Sequence, residues 1–196
     1  MPADIETGLT LFDSSGRRKY LNLAERLNFV RACQGEDDDI RLFCMVLAFT
    51  GCRISEALQL TPLQLDAGAN CIVFRTLKRR ALVFRAVPVP SKLMRELVAH
   101  TWTMERQDAI WPWCRQTAWR HVKDLMAAAR IDGPQATPKG LRHGFGIATA
   151  EKNVPASIIQ RWLGHASGET TAIYLEAQGP EERRFAKRLW HDYARL

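Results

Sequence analysis

The chain has 196 residues, 46% of them hydrophobic, so it can bury a full core as one domain with at most a short appendage, and disorder is excluded as its general state. Lys and Arg number 28 against 21 Asp and Glu, a net charge of +7 with a pI near 9.5, which favours a polyanionic partner but also describes basic proteins without one. Five cysteines (Cys33, Cys44, Cys52, Cys71, Cys114) are odd in number and include no Cys-x-x-Cys pair, no apolar run reaches membrane-spanning length, and the first residues lack the pattern of a secretion signal; reduced core cysteines in a cytoplasmic protein are expected.

Residues 1–20 are polar and irregular, with Asp13-Ser14-Ser15-Gly16 as a turn signal, and are expected as an N-terminal arm. From Leu21 the apolar positions Leu23, Leu27 and Val30 follow helical spacing until Gly35 and the acidic run Glu36 to Asp39 interrupt it. Acidic side chains suit a helix start, where they satisfy unbonded N–H groups and oppose the macrodipole. Ile40 to Thr50 is therefore predicted as a buried helix closed by Gly51, with a short helix from Ser55 to Leu60 after it. Two β-prone runs, Cys71 to Phe74 and Ala81 to Phe84, flank Arg75-Thr76-Leu77-Lys78-Arg79-Arg80, and Pro88-Val89-Pro90 ends the second, predicting one antiparallel hairpin. Ser91 is expected to cap a helix to about His100, and Arg115 to Arg130 carries Ala118, Val122, Leu125 and Met126 at helical spacing. The remainder is helical, with breaks at Ile131 to Gly140, Asn153 to Pro155, Gly164 to Gly168 and Gln178 to Pro180. A terminal helix places Phe185, Leu189, Tyr193 and Leu196 on one side, a stripe that must be buried on its own domain or on a neighbouring copy. The expected fold class is mainly α with a small antiparallel β-sheet (α+β): an arm over 1–20, a main domain over 21–177 and a C-terminal helix over 178–196.

Within that frame a few side chains carry chemistry. Arg53, in Thr-Gly-Cys-Arg-Ile-Ser-Glu-Ala, and Arg142, in Gly-Leu-Arg-His, are guanidinium groups, always charged and able to bond two phosphate oxygens at once. Thr137-Pro138 is a good N-cap and first-turn pair, so Arg142 lies near a helix start that itself attracts anions, and Lys139, three residues earlier, shares its face. His165 follows Leu163-Gly164 at a helix end, where a capping or packed imidazole is the plain alternative to a donor aimed at a phosphate oxygen. Tyr174 stands nine residues after His165; Tyr20 falls in the arm and Tyr193 on the terminal stripe. Arg75, Lys78, Arg79, Arg80 and Arg85 form a stretch of five positive charges without an acid, suited to gripping a nucleic-acid backbone without reading its sequence. Trp111, Trp113 and Trp119 are expected as packing residues more than as base-stacking ones.

Thr-Gly-x-Arg-Ile-Ser-Glu-Ala, the hairpin lysine, Leu-Arg-His, Leu-Gly-His and a tyrosine nine residues on, in that order, make the stretch from Leu42 to Tyr174 resemble the catalytic domain of the tyrosine recombinase (phage integrase) family. The resemblance implies an enzyme that cuts and rejoins double-stranded DNA with no cofactor and no metal. Arg53 and Arg142 would clamp the scissile phosphate, His165 would bond a non-bridging oxygen, and Tyr174 would attack phosphorus to leave a 3′-phosphotyrosyl link. Lys78 would protonate the departing 5′-oxygen. Lys139 occupies a position where many members carry histidine, and as an ordinary cation it suits an electrostatic role better than that of a base. His143 matches a histidine that is generally structural and stays off the catalytic set. A homo-oligomer on DNA, a dimer rising to a tetramer in the synapse, is implied, with accessory DNA-binding proteins as further partners and no membrane. Only 52 residues precede Arg53, too few for the helical clamping domain that members usually carry, so the chain is expected to be a minimal recombinase like those that invert fimbrial promoter segments, a fragment, or a partner-dependent enzyme. Two other readings stay open: a type IB topoisomerase-like enzyme that reseals the original strand, and a non-catalytic DNA-binding regulator with no use for Tyr174.

Overall fold

The computed structural model describes residues 10–75, 83–165 and 167–175. Eight helices and one small sheet follow in the order α1 (Leu23–Cys33), α2 (Asp38–Thr50), α3 (Ile54–Ala57), β1 (Leu65–Asp66), β2 (Cys71–Arg75), β3 (Phe84–Pro88), α4 (Ser91–His100), α5 (Arg115–Ala128), α6 (Pro138–Glu151), α7 (Ala156–Leu163) and α8 (Glu169–Leu175), so the mainly α expectation with a small antiparallel sheet holds. The strands run antiparallel in the order β1-β2-β3, with a 3-10 turn at Pro62–Gln64 leading into β1, a strand too short to leave a periodic trace in the sequence.

Most helix boundaries follow from local chemistry. Asn22 caps α1, accepting from the Glu25 N–H while Glu25 accepts from the Asn22 N–H, a reciprocal pair that closes the first turn. Gly51 ends α2 in the left-handed region at φ 61°, its N–H bonding back to Leu47. Thr137 caps α6 by accepting from the Gly140 N–H at 3.0 Å, with Pro138 in the first turn, as expected. Ala118, Val122, Leu125 and Met126 are the buried residues of α5.

Other expectations need correcting. The helix near Leu23 forms, but Leu23 and Leu27 are exposed and Phe29 with Cys33 faces the core, because this (i, i+4) pair, offset by six residues, lies on another face of a helix that packs on α2 and α5. Pro90, not Ser91, stands at the cap position of α4. The returning strand begins at Phe84 and includes Pro88, pairing Arg75 with Phe84, Phe74 with Arg85 and Ile72 with Val87. This register turns Arg85 and Val87 inward with Ile72 and Phe74, and leaves Phe84 outward. Cys114 is exposed at the start of α5, unlike buried Cys33, Cys44 and Cys52. Trp111 is buried with its ring edge-on to Phe43 at 5.2 Å, whereas Trp119 is exposed beneath Lys123. Lys78, Arg79, Arg80 and the terminal helix lie outside the described residues. Among the described residues no helix is long and apolar enough to cross a membrane.

Buried apolar side chains form two bodies. The larger joins α1 to α5 and the sheet around Phe43, Leu47, Phe74, Leu97 and Val122 and reaches Leu141 at the start of α6; the smaller holds Leu11, Ile147, Ile159, Leu163 and Tyr174. Residues 10–20, expected as an arm, make a tight turn in which Lys19 N–H bonds Leu11 O at 2.7 Å, and this seats Leu11 in the smaller body.

Candidate active site

Four helix ends and one strand meet around Tyr174. Arg142, one turn into α6, is buried, and its Nη1 donates to Gly51 O at 2.7 Å while its Nη2 donates to Leu163 O at 2.6 Å. The guanidinium thus ties the carbonyl end of α2 to that of α7, where backbone acceptors and the negative pole of each helix favour a cation. Arg53 precedes α3 and keeps about a quarter of its side chain exposed (24%), its Nη1 on Glu56 Oε1 at 2.9 Å. Glu56 is fully enclosed and also accepts the Arg53 N–H at 2.7 Å. Burial acts to raise its pKa, but the Arg85 hydrogen bond and charge outweigh this, and the carboxyl lies below its ordinary range.

Two histidines flank the tyrosine. His165 Nδ1 meets Thr171 Oγ1 at 2.9 Å, and its ring stacks on the Tyr174 ring with centroids 5.9 Å apart. His143 Nδ1 meets the Tyr174 hydroxyl at 2.9 Å. Burial, then neighbouring cations, Arg142 foremost for His165 and Lys139 for His143, push the two pKa values down to about 3 and about 4. Both imidazoles are neutral at pH 7, so His165 can serve as a neutral N–H donor and not as a cation. Tyr174 itself is 2% exposed. Its pKa is raised by burial, against the opposing pull of Arg142 and Arg53. Gly146 makes this close seating possible, since a Cβ there would meet the Tyr174 ring at 2.7 Å.

Arg142 is pushed down to about 10, first by burial and then by repulsion from Arg53. Arg142 is thus a desolvated cation, and the partly exposed Arg53 guanidinium lies near enough to repel it. The structure therefore brings together Arg53, Arg142, His165 and Tyr174. Lys139 is exposed in the first turn of α6, close enough to depress His143. Arg75 is exposed at the end of β2, while Arg85, expected on a backbone-gripping surface, is buried against Glu56 by the register of β3. Sequence reasoning also missed Thr171 and the contact of His143 with the tyrosine; Thr171 sits at the (i, i+3) position before Tyr174, but nothing in the linear pattern aims it at His165.

Residues 19–180 match the Phage integrase family. The chain belongs to that family. It is 29% identical over 144 residues to tyrosine recombinase XerA of Pyrococcus furiosus, an alignment covering 68% of this chain and 49% of that protein. The chain spans about half the length of the curated relatives it matches. In fold it is similar to XerH site-specific recombinase in a post-cleavage complex with a palindromic difH substrate (TM-score 0.73, 22% identity, 91% of this chain and 56% of that one) and to the catalytic domain of bacteriophage HP1 integrase (TM-score 0.64, 22% identity, 86% and 93%).

Proposed function

We propose that this chain is a site-specific DNA recombinase that breaks and rejoins strands through a 3′-phosphotyrosyl intermediate. The Tyr174 oxygen attacks phosphorus and loses its proton to solvent, the bond to the deoxyribose 5′-oxygen breaks, and that oxygen leaves with a proton from Lys78. Bond energy is kept in the link, so attack by a new 5′-hydroxyl reverses the step without ATP. Charge gathers on the non-bridging oxygens during attack. Arg53 and Arg142 meet it with fixed cations, and His165 with a neutral N–H. Lys139, on the exposed first turn beside Arg142, adds an electrostatic contact. The gathering of Arg53, Arg142 and His165 at the helix ends around a tyrosine is the observation that carries the reading, because a phosphodiester there would meet two guanidinium groups and an imidazole at once.

The described arrangement holds Tyr174 out of reach of any DNA. Binding must therefore free its hydroxyl from His143 and swing it toward the phosphate, a change on the scale of one short helix. An open cleft of about 240 Å³ between β3 and α7, walled in part by Arg85, Gly164 and His165, offers room for a DNA backbone beside the site. Arg75, Arg79 and Arg80 supply salt-dependent grip on duplex DNA. Assembly as a dimer and then a tetramer on DNA, with the 178–196 helix docked on a neighbouring copy and accessory DNA-binding proteins assisting, completes the proposal, together with a cytoplasmic, nucleoid-associated location. A nicked DNA substrate that loses its departing fragment tests it: a denaturant-resistant protein–DNA adduct is expected with the wild type and not with Tyr174→Phe. No adduct from the wild type on any DNA that it binds would overturn the reading.

A further inference from the structure

Arg85 stands apart from the other charges. It is a cation on the core face of a strand, 5% exposed, with its guanidinium 5.0 Å from the centre of the Phe74 ring. Its Nη1 and Nη2 hold Glu56 Oε1 and Oε2 at 3.1 and 2.7 Å, and its Nε donates to Trp162 O at 2.8 Å. Each Glu56 oxygen is thus divided between two arginines: Oε1 between the Arg53 and Arg85 guanidinium groups, Oε2 between the Arg53 N–H and Arg85. A buried pair of this kind is a weak source of stability, because desolvating both ions offsets most of their attraction. Its geometry is informative for another reason. With Glu56 neutralised from behind by Arg85, Arg53 is held at one Nη and keeps its charge unspent. The Trp162 carbonyl adjoins the Leu163 carbonyl that Arg142 takes, so Arg85 also steadies the end of α7 just before His165.

We infer that Arg85 is a positioning residue for strand cleavage, neutralising Glu56 so that the Arg53 guanidinium faces the scissile phosphate as an uncompensated cation. The inference rests on the proposed reaction and adds a residue whose guanidinium, held by Glu56 and the Trp162 carbonyl, acts on the scissile phosphate through Arg53. Without Arg85, Glu56 would turn its full charge on Arg53, draw it inward and cancel the charge that the phosphate needs.

The test is single-turnover adduct formation on the nicked substrate, with an ordinary scissile phosphate and with a neutral methylphosphonate in its place. Arg85→Gln is expected to slow cleavage of the phosphate about 100-fold, the loss typical of a misplaced catalytic group, while DNA affinity stays within about twofold. On the methylphosphonate, which places less charge on Arg53, the defect shrinks to under about tenfold. The double change Arg85→Gln with Glu56→Gln, which restores charge balance, should recover about tenfold of the single variant's loss. Arg85→Lys keeps the charge and should stay within about tenfold of the wild type. Equal slowing on both substrates, or a double variant slower than the single one, would mean that Arg85 only supports packing, and would overturn the inference. If Arg85→Gln does not fold, the lysine and double variants decide: cleavage within about tenfold of the wild type in both supports it, and loss in both overturns it. A wild type that forms no adduct overturns the parent reading, and this inference with it.

Discussion

The two apolar bodies of this protein differ in what they hold. The larger one contains aliphatic and aromatic side chains from six helices and a sheet, with Phe43, Leu97 and Val122 wholly enclosed, and no side chain of the proposed chemistry lies within it. The smaller one joins Leu11 and Ile147 of α6 to the short helices α7 and α8, set off by left-handed turns at Asn153 and Gly164, and its largest enclosed member is the proposed nucleophile. A residue that must leave its site to react cannot belong to the most stable part of a fold. The large body fixes the arginines, and the small one stores the tyrosine.

The most complete separation of the two comes from Tyr174→Phe. Adduct formation is expected to vanish, while stability falls by only about 1 kcal/mol, the usual worth of the lost hydroxyl bond to His143. A melting experiment beside the adduct assay checks both halves. The opposite pattern is expected from Phe43→Ala, which leaves a void in the larger body and should cost about 3–5 kcal/mol of global stability. Adduct formed per folded molecule should stay near that of the wild type, measured at a temperature where both chains remain folded.

The sequence made much of this legible, and the reasons for what it hid are physical. Caps and breaks were readable at Gly51, Thr137 and Gly164 because a left-handed glycine or a hydroxyl before proline acts within one turn of chain. The proposed catalytic residues stood out because their motifs are short and sit at helix ends, where capping residues mark the chain. Arg85 was not, since its inward direction depends on pairing with Phe74 across the sheet, and a change of one residue in register would have sent it to solvent. Leu23 and Leu27 misled for a related reason: helical periodicity shows that a face exists but not which face meets the neighbours. The hydrogen bond from His143 to Tyr174 spans 31 residues and leaves no local signal.

A Gly146→Ala change sharpens the comparison from inside the smaller body. The added methyl would strike the Tyr174 ring, and overpacking of this kind costs about 1–3 kcal/mol. Most of that strain is relieved if α8 lifts away. Protection of the Tyr174 region from hydrogen exchange should therefore fall while α2 and α4 keep theirs. Uniform loss of protection across both bodies would show that the two melt as one.

Acid should weaken the smaller body first. His143 and His165 have folded pKa values depressed to about 4 and about 3, below the ordinary 6.5 of the unfolded chain. Between those limits the unfolded state binds more protons, so stability is present above about pH 6.5 and is lost as pH falls toward 4. Each pH unit in that window costs about 1.4 kcal/mol for each histidine that is charged only when unfolded. Stability measured from pH 7 to 4.5 should fall with this slope, and His143→Phe should reduce it. An unchanged slope would place the titration elsewhere.

The smallest effect expected is at Thr171, whose hydroxyl meets His165 Nδ1 from the turn of α8 before Tyr174. Thr171→Val keeps the shape and removes that partner, which costs about 1 kcal/mol and leaves the imidazole to choose its tautomer. A donor that must first find the right tautomer is a poorer one, so cleavage should slow by about tenfold or less, with DNA affinity unchanged. The same bond joins His165 to the helix that carries the proposed nucleophile. If α8 moves to deliver Tyr174, the bond must persist or break with it. A rate in Thr171→Val above that of the wild type would mean that the bond restrains the tyrosine more than it serves the histidine, as the His143 contact with the Tyr174 hydroxyl would.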